Sequence, residues 1–475
     1  MGNDVVQFVV FVGLTALVAV LTWWKCRNAV HVSDGSKEVF LAGGGLTWPF
    51  IAGSLLLTNL SAEQIVGMNG AQSMVVAWWE FGAALGLLVL ARVLIPLYYK
   101  YKCTTTTELL EKRIGDHGIR ATVSILFLLG YMFILLPVVL YTGAVFMHSM
   151  FNIGLSVWWL AFVFAMLGLA YSAFGGLRAI AISDTYNGVG LLVLGLLVTL
   201  FALQAIGFDL SGIPAERLSL IGGPESDIPW QTLCTGMLFI HVFYWGTNMV
   251  IAQRALAARS VQEAQKGIYC AALFKLLTPL IVVFPGVIAY KLYGDVGDVT
   301  YGKLVADVLP SWLSGAFAAV ITGAVLSSFN SCLNAAAALY TCDLHLKYIN
   351  PNASVPLLNK VVGGVCTLGA LLMVPVFQNA QSIVATMQQL NGLYSMPVLA
   401  VFVVAIMFKG IDGFAARLGM VFGVALYAVF TFWWKPLHYI HLMFITLVAT
   451  VAFIVLLSRL RRAPAVATLM PSASP

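Results

Sequence analysis

Between residues 54 and 67 an apolar run is broken by Thr58, Asn59, Ser61, Glu63 and Gln64. A carboxylate inside hydrocarbon is costly on every scale, so such a group faces a protein interior or a wet cavity. The interruption also invites the backbone to unwind, which is tolerated at membrane depth only where it lines a site. The chemistry on offer is recognition of a small polar solute. Glu63, Glu80, Asp184 and Lys275 are the ionisable groups set deepest in apolar runs. Glu80 and Lys275 have opposite signs and lie far apart in the chain, so each can neutralise the other while offering hydrogen bonds to hydroxyls. Gln64 and Gln388 add amides that both donate and accept. Tyr141, Tyr244 and Trp245 supply flat apolar faces with polar edges, as a sugar ring requires. The alternatives stay open: buried charges that pair for folding alone, and aromatic rings that mark the lipid interface.

Ser327 and Ser328, in Gly-Ala-Val-Leu-Ser-Ser-Phe-Asn-Ser, form a second cluster. A monovalent cation needs about five oxygens, and hydroxyls with carbonyls freed by an unwound helix can supply them. Small hydroxyl residues also occur where membrane helices simply pack. Asp184 ends the stretch Gly-Gly-Leu-Arg-Ala-Ile-Ala-Ile-Ser-Asp; it either holds a cation in transit or pairs with Arg178. His241 stands without a ligand cluster around it. No phosphate loop, nucleophile elbow or zinc motif is present, which argues against an enzyme or an ATP-driven machine. The energy for transport then comes from an ion gradient.

These residues need a membrane scaffold, and the composition supplies one. The chain has 475 residues, 61% hydrophobic and 9% charged, where soluble domains carry about 25% charge. The mean hydropathy is +0.94. The pattern predicts an all-α polytopic membrane protein of about thirteen spans. They fall near 5–24, 48–67, 74–98, 121–150, 156–174, 178–207, 230–252, 264–291, 312–345, 358–376, 381–407, 412–432 and 437–460. Residues 5–24 read as a leading span rather than a signal peptide, since Asp4 precedes them and no basic segment does. The tail 463–475 is small and Pro-rich, hence disordered.

With this count 19 of the 25 Lys and Arg residues fall on one side. Arg217, Lys291, Lys303 and Lys435 lie on the other, and Arg92 and Lys275 within spans. The positive-inside rule then puts the N-terminus outside and the C-terminus in the cytoplasm of a cell-membrane protein. The net charge of +6 is scattered between apolar runs, which argues against nucleic acid. The seven cysteines show no metal-ligand spacing and read as core thiols. Spans two to six (48–207) and seven to eleven (230–407) make two sets of five, and an odd number inverts the second set. The first span of each set is polar in the middle, at Asn59–Gln64 and at His241–Asn248, which points to a transporter of inverted repeats. The two C-terminal spans lie in 412–460.

At these residues the chain resembles the sodium/solute symporter family, and within it the sodium/glucose cotransporter branch. Four blocks carry the resemblance: residues 58–67, Gly175 through Asp184, Tyr244–Asn248 with Gln253–Ser260, and Ser327–Ser328 through Asn334 to Asp343. It spans about residues 38–407 and the flanking segments. It implies a five-plus-five inverted-repeat (LeuT-type) core. It also implies that Gln64, Glu80, Lys275 and Gln388 hydrogen-bond sugar hydroxyls, with Asn59 bridging sugar and sodium regions. Tyr244 would stack on the ring as an inner gate backed by Trp245, and Tyr141 matches another site tyrosine. A sodium ion would meet the carbonyls of Leu57, Leu60 and Ala324 and the hydroxyls of Ser327 and Ser328, with Asp184 serving its release. Three departures stand out: His241 where sugar-transporting relatives have Asn, Trp79 in place of a Tyr beside Glu80, and a connection from Gly67 to Glu80 shorter by about three residues.

The resulting expectation is sodium-coupled symport of a hexose-like sugar, glucose or galactose in type, by alternating access across a lipid bilayer. A polyol, another carbohydrate or an organic anion keeps the fold and changes the ligand. A sugar-gated sensor or ion leak binds without accumulating.

Overall fold

The polar interruption at residues 58–64 is a broken helix. In the computed structural model, which describes residues 2–27, 40–41, 44–380 and 382–467, α1 is Gly2–Arg27 and α2 is Trp48–Asn59. Pro49 in the first turn of α2 presets the helical φ where no amide donor is needed. At the other end Ser61 donates to the Asn59 carbonyl at 3.4 Å, the local side-chain bond that competes with helix continuation. Leu60 and Ser61 leave the helical region, and α3 restarts at Ala62–Gly70. The Gln64 amide then donates to Ser61 O at 3.2 Å instead of to Leu60 O. A carbonyl at the break is thereby turned away from its helical partner.

The second expected interruption is present too. Helix α4 is Met74–Lys100, α5 is Glu108–Ile114, α6 is His117–Phe151 and α7 is Val157–Ala205. Helix α8, Gly236–Val242, widens into a π turn at Phe243–Thr247, and Asn248 is extended before α9, Met249–Leu256. Asn248 caps α9 by accepting from Val250 N at 3.0 Å. Tyr131 from α6 donates to the same Asn248 oxygen at 2.6 Å and accepts from Met249 N at 3.2 Å. One tyrosine therefore stitches the second break to a neighbouring helix.

A third break was not expected. The span at 264–291 is two helices, α10 (Val261–Lys275) and α11 (Pro279–Tyr293), bent by 46°. Pro279 cannot donate to the preceding turn, and Thr278 fills the gap by donating to Lys275 O at 2.7 Å. The remaining helices are α12 (Thr300–Val308), α13 (Ser311–Ile349), α14 (Val355–Gln378), α15 (Ile383–Met407), α16 (Gly413–Phe432) and α17 (Tyr439–Ala467).

The architecture is all-helical, with the five-plus-five inverted-repeat (LeuT-type) core. Nine helices among the described residues are long and apolar enough to cross a membrane, and the bent α10–α11 pair adds a tenth. The expected thirteen is not reached on length and apolarity. The two broken helices consist of pieces too short for the test, and the spans expected at 156–174 and 178–207 form the single helix α7. Within α7 only Tyr186–Ala205 qualifies, the stretch Val157–Ser172 being shorter. Helices α6 and α13 run to 35 and 39 residues, longer than one crossing, in keeping with their long apolar runs. Outward-facing Leu85, Val361, Leu368 and Leu372 are 52–72% exposed, an apolar exterior suited to lipid.

Buried amides fix the broken pieces to their neighbours. Asn69 in α3 is fully buried; it donates to Ile65 O at 2.7 Å and Ile281 O at 3.2 Å, and accepts from Gly286 N at 2.7 Å. A Cβ on Gly286 would lie 2.1 Å from Asn69 O, so only glycine allows α11 this close.

Candidate functional site

The first broken helix, α4 and the bend after Lys275 meet in one polar knot. Lys275 Nζ lies 2.5 Å from Glu80 Oε2, and both side chains are fully buried. Lys275 also donates to Asn59 Oδ1, and its ammonium sits 5.4 Å from the centroid of the Trp245 ring. Thr278 Oγ1 donates to Glu80 Oε2 at 2.5 Å. Gln64, with its amide orientation assigned from the bonding pattern, donates to Glu80 Oε1 at 2.5 Å and to Asn59 Oδ1 at 3.2 Å. Its oxygen accepts from Asn59 Nδ2 at 3.0 Å. Every charge in the knot is thus met by an opposite charge or a hydrogen bond, the condition under which the desolvation cost of a buried pair is offset.

Beside the knot lies a cavity of about 40 Å³. Its wall brings together Asn59, Gln64, Trp79, His241, Tyr244, Trp245 and Gln388 from the expected set, contributed by both broken helices, α4 and α15. Glu80 and Lys275 stand behind this wall with no exposed surface. Tyr141 is buried but does not line the cavity. Tyr244 and Trp245 meet edge to face, 5.5 Å between centroids. Asn391 donates to Gln388 Oε1 at 3.2 Å and accepts from Tyr394 at 3.1 Å, which orients the Gln388 amide.

His241 is held by its surroundings. Its ring packs edge to face on Trp79, 5.7 Å between centroids, and a Cβ on Gly82 would come within 2.2 Å of Nε2 and Cδ2. The glycine in α4 makes room for the imidazole. Two of the sequence departures, His241 and Trp79, are therefore a contacting pair in the same wall.

Several lining residues carried no expectation of a role in the site. Glu63 was marked only as a buried charge, and it faces the same cavity with Leu135, Ile240, Phe243, Met387 and Asn391. Asn391 had a readable signal, since it lies one helical turn after Gln388. Thr278 had one as well, a hydroxyl beside Pro279 at a bend that an apolar run conceals.

At the second cluster, Ser327 and Ser328 are buried in α13, which packs on α2 and α3. Ser328 Oγ has no hydrogen-bond partner among the described residues. Ser327 also lines a separate cavity with Ser183, Asn187, Tyr171 and, from α1, Thr15 and Thr22. The Asp184 and Leu57 side chains lie outside the described residues. No group of three His, Cys, Asp or Glu able to hold a metal occurs among the described residues.

A polar cavity between two interrupted helices of an inverted-repeat membrane bundle defines a secondary transporter. Known proteins agree. The model of the Sodium:solute symporter family matches residues 39–423, and the chain belongs to that family. It is 38% identical to the uncharacterized symporter YidK of Escherichia coli strain K12, over 92% of this chain and 81% of that one. It is 28% identical to the sodium/glucose cotransporter of Vibrio parahaemolyticus, covering 88% and 84%. It is 30% identical to the sodium/myo-inositol cotransporter 2 of Oryctolagus cuniculus, covering 83% and 65%. In fold it matches a sodium-coupled sialic acid symporter in a substrate-bound outward-open state, with a TM-score of 0.80 at 18% identity over 96% and 98% of the two chains. The chain is a multi-pass membrane symporter with sodium as its coupling ion, and its family and structural neighbours are transporters.

Proposed function

We propose that this symporter carries a neutral, hexose-like sugar of the glucose or galactose type into the cytoplasm, with the N-terminus outside. The observation that carries the reading is the makeup of the cavity wall. Amides from Asn59, Gln64 and Gln388 share the wall with the aromatic rings of Trp79, Tyr244 and Trp245. Amides both donate and accept as hydroxyls do, and the rings suit the apolar face of a pyranose. Identity with the sodium/glucose cotransporter supports the same class. A polyol is the second reading, favoured by the myo-inositol relative. An organic anion fits less well, because Lys275 is neutralised by Glu80 and the cavity wall carries Glu63, whose Oε2 has no hydrogen-bond partner among the described residues.

In this reading Glu80 and Lys275 act by holding Asn59 and Gln64 in place, with sugar hydroxyls meeting the amides first. Sodium would enter between the α2–α3 break and α13, meeting Leu57, Leu60 and Ala324 carbonyls and the Ser327 and Ser328 hydroxyls. The fit rests on Ser328 Oγ, a buried oxygen with no partner among the described residues, and on the Leu60 carbonyl freed at the break. Sodium bound there favours the sugar-competent state by its differential affinity, which is what coupling requires. Tyr244 then serves as the inner gate, and Asp184 assists release of the ion.

Trp79 and Trp245 in the wall provide a direct test by intrinsic fluorescence. Titration with glucose, galactose and myo-inositol is expected to change emission in sodium and not in matched potassium. A response to glucuronate with none to the neutral sugars would overturn the reading.

A further inference from the structure

Once the Glu80–Lys275 knot is closed, a buried carboxylate at the cavity is left over. Glu63 opens α3, is 6% exposed and lines the cavity beside Asn59, Gln64 and Gln388. Its Oε2 has no hydrogen-bond partner among the described residues. The buried cations Lys275 and Arg254 are engaged elsewhere. Lys275 pairs with Glu80 at 2.5 Å, and Arg254 donates to Ser54 at 2.9 Å and Ser331 at 2.6 Å. The N-terminus of α3 favours a negative charge at this position but completes no hydrogen bond to Oε2. A buried acceptor left unmet is costly, so a native protein keeps one where a ligand completes it.

We propose that Glu63 is the substrate-orienting acceptor of the site. Its Oε2 takes the hydrogen of one hydroxyl of a neutral polyhydroxylated solute, and its charge turns anionic solutes away. The inference rests on the sugar-class reading above and goes further by naming the group that selects. Sodium is a poor occupant of the same spot, because a cation needs about five oxygens. Asn59 Oδ1 is already taken by Lys275 and Gln64, and the Gln64 oxygen by Asn59. A hydroxyl needs a single acceptor, and Glu63 Oε2 offers one. Glu63 is therefore a specificity-determining residue, distinct from the charge pair that braces the wall.

The test is sodium-driven uptake into proteoliposomes of the full chain, using galactose, glucose, their monodeoxy analogues and a hexuronate. Glu63→Gln keeps the shape and loses the charge. It is expected to raise KM for the parent sugar about tenfold, the difference between a charged and a neutral hydrogen bond, with half-saturation by sodium unchanged. At one ring position the deoxy analogue, penalised about tenfold in the native protein, is expected to lose most of that penalty in Glu63→Gln. A residue that only supports the fold would leave every deoxy penalty intact. Glu63→Asp retains charge at shorter reach and carries the same comparison if the Gln variant fails to fold; it is expected to raise KM while still refusing the hexuronate. Uptake of neutral sugar by the native protein with KM and deoxy penalties unaltered in the variants would overturn this inference alone. Uptake of hexuronate and of no neutral sugar by the native protein would overturn the sugar-class reading with it.

Discussion

In the proposed reading, Ser328 and Gln64 divide the two solutes between them. Ser328 Oγ is buried without a partner among the described residues, so removing it in Ser328→Ala should cost the fold little and sodium more. Half-saturation by sodium is expected to rise about tenfold, the loss of one ligand oxygen. Gln64 instead touches Asn59 and Glu80 on the cavity side. Gln64→Ala should raise the sugar KM about tenfold or more with a smaller change in sodium affinity. Uptake measured against both concentrations separates the two, and unchanged sodium dependence in Ser328→Ala would remove the serine from the site. The residue types were legible in the sequence because polar groups stand out in an apolar run. Their division of labour was not. Glu80 and Glu63 look alike in the chain, and only packing shows that Glu80 is paired behind the wall while Glu63 lines the cavity with no partner for its Oε2 among the described residues. Tyr141, expected in the site from its ring and from the resemblance, is buried and does not line the cavity.

Among the elements, the breaks control the geometry, and the groups that hold them are testable. Asn69 ties α3 to α11 with three buried hydrogen bonds. Asn69→Ala leaves the Gly286 amide unmet and should lower stability by about 2 kcal/mol or more, read as a drop in melting temperature in detergent. Gly82→Ala places a methyl on the His241 ring and should cost roughly 1–3 kcal/mol. Replacing His241 by the smaller Asn should restore most of that loss, since the two positions touch. The α2–α3 and α8–α9 breaks were visible as polar residues amid apolar ones. The bend after Lys275 was not, because the sequence Leu-Phe-Lys-Leu-Leu reads as one continuous span. Only Thr278 and Pro279 mark it, and their meaning depends on Glu80 arriving from another helix.

For the whole molecule, a charge cluster joins the region after α4 to the end of α13. Asp343, fully buried, accepts from Thr105 at 2.8 Å, Ser124 at 2.5 Å and Arg120 at 2.7 Å, and from Thr107. Next to it Glu111 accepts from Lys347, His117 and Arg120. Partial burial raises the Glu111 carboxyl, but the bonds from Lys347, His117 and Arg120 outweigh it and bring it down to about 2. The lowered value means the cluster adds stability above the ordinary carboxyl range and loses it only as pH falls toward 2. Melting temperature should therefore stay level in this respect from pH 7 to 5. Lys347→Met should move the onset of acid destabilisation to higher pH, while an unchanged acid profile would show that Lys347 does not govern the cluster. The two-fold inverted plan was legible at this scale because an odd number of spans per set and paired interruptions leave few alternatives. Pairings such as Asp343 with Thr105 join residues 238 positions apart, and no local pattern announces them.

The measurement closest to the central claim is uptake of radiolabelled glucose and galactose into proteoliposomes, under an inward sodium gradient and a matched potassium gradient. The account predicts accumulation above equilibrium in sodium alone, abolished when the gradient is collapsed. Equilibration without accumulation, or uptake equal in sodium and potassium, would contradict it.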